Sequence, residues 1–223
     1  MALTRISPLL ATLGLSAALL SAPAVATDVL LDFSGNICGT GSDQACGNGS
    51  AIGQGYGDIA GLLDVSHRSF QAGTGATLEG ALKYWSTGYS GLQDVAWGGS
   101  NPDSHVAEFV FAPGAGFRVT LNSMDFGDYL NRNDGSSATV LDLLTGETLW
   151  SSGAFDAGLT PLTFAPGVSS ANGLVLRFGP DSYNTAIDNI SLTVTAVPEP
   201  GAWALLAAGL GLIGALRRRR EMV

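Results

Sequence analysis

The chain has 223 residues, with ten Lys or Arg against nineteen Asp or Glu for a net charge of −9, and it holds 31 glycines. That acidic balance disfavours nucleic acid and anionic membrane surfaces as partners, because both repel it. Its two cysteines have no neighbouring histidines, which makes a poor zinc site.

At the N terminus Arg5 precedes an apolar run from Leu9 to Leu20, and Ala24-Val25-Ala26 supplies a small-x-small cleavage site. The pattern predicts a secretory signal peptide over residues 1–26, with Ala24 and Ala26 at the cleavage site and Thr27 as the mature N terminus. Residues 27–196 then make one domain, long enough for a substantial core. From Thr27 to Val197 there are five basic and seventeen acidic residues, a net of −12. Such a body is compatible with divalent cations or neutral glycans, although solubility alone accounts for much of it.

Cys38 and Cys46 lie in a Gly/Ser-rich stretch, and export to an oxidising compartment predicts a disulfide between them. The stretch from Cys38 to Tyr56 holds many glycines and little that packs. It is predicted to be a loop stapled by that disulfide.

Short apolar runs punctuated by Gly, Ser, Asn and Asp follow, and that punctuation predicts strands and turns. The predicted strands are Val29 to Phe33, Ile59 to Val65, Thr77 to Trp85, Val95 to Trp97, Val106 to Ala112 and Phe117 to Phe126. Ala138 to Leu144, Glu147 to Ser151, Leu162 to Phe164, Leu174 to Phe178 and Ile187 to Thr195 complete the set. Phe117, Val119 and Leu121 alternate with Arg118, Thr120 and Asn122, so one face is buried and the other wet. Thr145-Gly146 reads as a two-residue hairpin turn. The fold class is therefore all-β, an antiparallel β-sandwich and most simply a jelly roll. The strand around Asp188-Asn189-Ile190-Ser191-Leu192 resembles the closing strand of galactose-binding-like sandwiches, which favours the same architecture.

No Gly-x-Ser-x-Gly elbow is present, and neither His67 nor His105 stands in a recognisable catalytic setting. Paired carboxylates could hydrolyse glycosides, but the spacing selects no pair. The expectation is that the protein is not an enzyme. Trp85, Tyr89 and Trp97 cluster in sequence with Gln93, Asp94 and Asn101, and they are the candidate glycan platform as well as candidate core. The polar loop after the Phe117 strand offers Asp128, Asn131, Asn133 and Asp134 as oxygen ligands for Ca²⁺. Asp188, with the more distant Asp28 and Asp32, offers a structural Ca²⁺ site where first and last strands meet. A solvated hairpin connection is the alternative for the loop.

The C-terminal 27 residues have three parts. Val197-Pro198-Glu199-Pro200 is an extended peptide, because each proline lacks a donor and biases the residue before it away from the helix. The 16 residues from Gly201 to Leu216 carry no charge and predict a transmembrane helix, covering about 24 Å of a hydrocarbon core about 30 Å thick. Arg217, Arg218, Arg219 and Arg220 then fix the orientation, with the body outside. Gly209-Leu210-Gly211-Leu212-Ile213-Gly214 matches the dinucleotide fingerprint only formally, since no strand precedes it.

These three parts, in this order, resemble the PEP-CTERM sorting signal. The resemblance implies an exported protein of a Gram-negative bacterium, recognised by an exosortase at the inner membrane, cleaved near Pro-Glu-Pro and delivered to the cell surface or extracellular matrix. It further implies an association with exopolysaccharide and biofilm matrix. A permanent single-span anchor is the plainer alternative. Within the matrix the body is expected either to bind glycan or to act as a structural or adhesive protein.

Overall fold

A computed structural model describes residues 26–99, 104–132, 135–197, 207–214 and 217–218. Two antiparallel sheets form a β-sandwich. The first has seven strands: β1 (Ala26–Leu31), β4 (Lys83–Trp85), β5 (Val95–Trp97), β7 (Phe117–Asp128), β10 (Leu162–Phe164), β11 (Val168–Ser170) and β13 (Thr185–Ala196). The second has six: β2 (Leu63–Gln71), β3 (Thr77–Glu79), β6 (His105–Pro113), β8 (Ser136–Asp142), β9 (Thr148–Phe155) and β12 (Leu174–Gly179), in the order β3-β2-β6-β12-β8-β9.

Strand β13 organises the first sheet. Along one edge it pairs with β7, and along the other it pairs first with β5 and then with β1. The change of partner falls at Asp188-Asn189, where the register with β7 shifts and Asn189 takes a φ of 51°. Asn tolerates that left-handed conformation better than most residues, and the bulge turns the following side chains back into phase with the core.

Period-two alternation then builds the interior. Val119, Leu121, Met124, Phe126, Ile187, Ile190, Leu192 and Val194 face Phe109, Phe111, Val140, Leu174, Leu176 and Phe178 across the two sheets, all of them buried. Each such side chain contributes roughly 1.5–3 kcal/mol of burial. Phe126 is the hub, with ring centroids 5.0 Å from Phe155, 5.3 Å from Phe178 and 6.0 Å from Phe164.

Several elements depart from expectation. The predicted strand at 59–65 runs instead from Leu63 to Gln71, since Leu62 and Leu63 both donate to the Ile59 carbonyl in a tight turn. Its second half was hidden because the inward positions His67 and Ser69 are polar yet buried. The predicted strand at 77–85 divides into β3 and β4, which belong to different sheets, and the intervening Leu82 is fully buried. The turn at Thr145-Gly146 is longer than two residues. Asp142 ends β8, and its Oδ1 accepts from the Leu144 and Thr145 backbone N–H groups.

Cys38 and Cys46 form the expected disulfide. The stapled segment does more than loop outward, however. Ile37, Cys38 and Ile52 are buried in the main core, and Ile52 N–H donates to the Leu82 carbonyl. The few apolar residues among its glycines are enough to anchor it.

Candidate functional site

The outer face of the seven-stranded sheet carries a second apolar cluster, separate from the core between the sheets. Alternation places it there: Tyr84 and Ala96 point into the main core, whereas Trp85, Val95 and Trp97 point outward. The loops after β4, β7 and before β13 fold over this face and add Tyr89, Leu92, Tyr129 and Tyr183. Trp85 meets both Trp97 and Tyr129 edge-on at 5.8 Å, Tyr89 lies 5.1 Å from Tyr129, and Trp97 meets Tyr183 at 5.2 Å. Edge-to-face contact is the favoured geometry for rings in clusters of this kind.

Burial divides the sequence candidates. Tyr89 and Trp97 are only 2% and 8% exposed, and Tyr89 Oη donates to the Tyr183 carbonyl, so both serve as packing. Trp85 is half-buried and remains at the surface beside half-buried Tyr129 and Tyr183. These three rings form the accessible platform, with exposed Gln93, Asn131 and Arg132 on the loops that form it. Tyr129 and Tyr183 were not legible as site residues, because their loops join Trp85 only through the fold. Asn101 lies outside the described residues.

On the same outer face, Asp188 stands directly opposite Asp125 on β7. Asn189 donates its side-chain amide to Asp125 Oδ2 at 2.9 Å and to Asp188 Oδ2 at 3.3 Å, while Thr163 Oγ1 donates to Asp125 Oδ1 at 2.6 Å. Burial, then the nearby charges of Asp125, Asp32 and Asp94, push the Asp188 carboxyl up to about 7, although the Asn189 backbone N–H works in the other direction. Asp28 instead accepts from Thr193 Oγ1, and Asp32 accepts from Ser34.

Asp128, offered with the polar loop, is fully buried, and its Oδ2 accepts from Gly158 N–H at 2.8 Å. It does not join Asp188. Asn131 is exposed, and Asn133 and Asp134 lie outside the described residues. Among the described residues, no three His, Cys, Asp or Glu side chains converge to hold a metal ion.

His67 is locked into the core. Leu82 N–H donates to its Nδ1 at 3.0 Å, which leaves Nε2 as the N–H that donates to the Gly53 carbonyl at 3.2 Å. Burial lowers its pKa to about 4, so the ring is neutral. His105 is also buried, and desolvation lowers its pKa too.

Of the tail, Val197 closes the domain by donating its N–H to the Gly116 carbonyl at 2.7 Å. Residues 198–200 and 201–206 lie outside the described part, as do Arg219 and Arg220, while 207–214 and the pair Arg217 and Arg218 are helical. Among the described residues, no helix is long and apolar enough to cross a membrane. The signal peptide residues, Ala24 included, also lie outside, and Ala26 is the first residue of β1, paired with Thr195.

Comparison with known families decides the nature of the tail. Residues 196–220 are a PEP-CTERM protein-sorting motif. The PEP-CTERM motif makes the chain an exported protein handled by an exosortase, through a membrane-anchored intermediate and then at the surface. No curated protein matches the chain. Among solved structures, a GH26-CBM35 β-(1,4)-mannanase of Podospora anserina is similar over 60% of this chain, at 19% identity and a TM-score of 0.33. The match spans 28% of that enzyme's chain.

Proposed function

We propose that this protein is an exosortase-sorted, non-enzymatic component of the extracellular matrix that contacts exopolysaccharide through the Trp85, Tyr129 and Tyr183 platform. The observation that carries the reading is the second aromatic cluster. Its inner rings are spent on packing, but it keeps three half-buried rings at the surface beside polar loop residues. Sugar rings stack on such platforms through their apolar faces. In this reading the sandwich is a jelly roll of the galactose-binding type. The signal peptide starts export, and the Gly201 to Leu216 segment is a transmembrane hold until cleavage near Pro198-Glu199-Pro200. A structural Ca²⁺ at Asp188 belongs to the same reading and is tested by chelation.

The settings of the two histidines support the non-enzymatic assignment. His67 spends both ring nitrogens on backbone groups, and neutral, buried His105 has no nucleophile hydrogen-bonded to it among the described residues. A structural or adhesive role without glycan affinity is the second reading, favoured by the burial of Tyr89 and Trp97.

Affinity electrophoresis in gels containing the producer's own exopolysaccharide tests the proposal. The wild-type chain should be retarded, and Trp85→Ala should lose most of that retardation with its fold intact. Mobility of both proteins unchanged by the polysaccharide would favour the structural role. Intact mass of protein recovered from cells with and without the exosortase tests tail removal.

A further inference from the structure

We propose that the outer face of the six-stranded sheet holds a second polysaccharide site, a cationic trough built on Arg177, Arg68 and Phe70 that takes the carboxylate of an acidic sugar unit. The inference deepens the glycan-contact reading by adding a site and a sugar class.

Register builds the trough. Arg68, Glu108, Arg177 and Thr139 stand in one row across β2, β6, β12 and β8, all on the face away from the core. Arg68 Nε donates to Glu108 Oε1 at 2.8 Å and Arg177 Nε donates to Glu108 Oε2 at 2.7 Å. Both guanidinium groups lie over the Phe70 ring, at 5.2 and 5.5 Å from its centroid. Phe70, Val106, Ser137, Thr139 and Arg177 line the shallow cavity beside this row, and at about 360 Å³ it is of the size that ligand clefts occupy.

The charge of the row is what points to a ligand. Glu108 is 4% exposed and neutralises only one of its two arginines, so a net positive charge remains. These are two of the five basic residues in a body of net charge −12. At physiological salt, charges farther than about 8 Å are largely screened, so an approaching carboxylate feels the trough rather than the body.

A clamp that only joined three strands would be complete with the two Nε–H bonds. Here the Nη groups of both arginines form no hydrogen bond among the described residues, and the side chains are 44% and 41% exposed. The Glu108 bridge and the Phe70 ring hold the guanidinium planes in place, so little side-chain entropy is lost when a carboxylate docks end-on. The Thr139 hydroxyl, in the same row, has no hydrogen-bond partner among the described residues and is free for a sugar hydroxyl. Since the aromatic platform lies on the opposite sheet, one molecule would contact polysaccharide on both faces.

The test is affinity electrophoresis of the full-length protein in mild detergent, in gels containing polygalacturonate, dextran sulfate or the producer's exopolysaccharide. Wild type should be retarded by polygalacturonate, and added NaCl should weaken that retardation. Arg68→Lys/Arg177→Lys keeps a counter-charge for Glu108 but removes the forks, and should weaken polygalacturonate binding about ten-fold or more at unchanged Tm. If the double variant loses its fold, Arg177→Lys and Thr139→Val singly carry the same comparison.

Undiminished binding by a folded double variant overturns the trough, and equal retardation in dextran sulfate overturns the carboxylate assignment. Retardation by the producer's polysaccharide that Trp85→Ala abolishes, with none in polygalacturonate, sinks the trough alone. No retardation in either sinks both sites.

Discussion

Asp188 and Asp125 face each other across neighbouring strands, and the Asn189 side chain bridges their carboxylates. Burial above all, and after it the charge of Asp125, raises the Asp188 carboxyl above the usual carboxylate range.

Asp188→Asn should therefore flatten one limb of the stability profile. Its folded pKa of about 7 lies above the unfolded value of 3.8, so the native state binds the extra proton. The stability it contributes is full below pH 3.8 and is lost as pH rises to about 7. Relative to wild type, the variant should gain on the order of 1–2 kcal/mol above pH 7 after discounting for solvent screening, and little at pH 4. Thermal melts of both proteins across that range check the sign. A rise in wild-type Tm at pH 7.5 on adding Ca²⁺, absent in the variant, would place a cation at Asp188.

His67 acts in the opposite direction. Its folded pKa of about 4 lies below the unfolded 6.5, so the unfolded state takes up the proton first. Stability is full above pH 6.5 and is lost as pH falls towards 4. The two groups offset each other over most of this window. In Asp188→Asn the acid loss due to the buried histidines, His67 and with the same sign His105, should no longer be offset, as a Tm that falls steadily from pH 6.5 to 4.

Removing the disulfide should cost about 2–3 kcal/mol, as expected for a short closed loop. Cys38 itself is buried in the main core beside Ile37 and Ile52, so its replacement also disturbs packing. Cys46→Ser, at the partly buried end, should therefore destabilise less than Cys38→Ser in urea unfolding.

Gly127→Ala tests how tightly the aromatic loop lies on the sheet. A Cβ at that position would fall 2.5 Å from the Tyr89 carbonyl oxygen, a backbone atom that cannot swing aside. The variant should lose about 1–3 kcal/mol, and its tryptophan fluorescence should change as the loop lifts from Trp97. Gly116→Ala meets no neighbouring atom but sits at a φ of 81°, so it should cost backbone strain without the fluorescence change.

The alternation along Phe117 to Phe126 and Leu174 to Phe178 was legible in the sequence, because side chains on a strand with one wet face declare their side at every second residue. His67 and Ser69 broke that pattern, since in a sequence a polar residue turned into the core reads the same as an exposed one. The aromatic platform was half legible for a similar reason. Trp85, Tyr89 and Trp97 could be grouped by proximity, but which ring reaches solvent depends on the loops that bring Tyr129 and Tyr183 over them.

By itself the sequence determined the sorting motif, the disulfide and the all-β class, all of which rest on neighbouring residues or on a short period. The tertiary structure alone decided that Arg68, Glu108 and Arg177 share one row, and that Asp125 and Asp188 face each other. Those relations join residues 40 to 69 positions apart, and only strand register sets them.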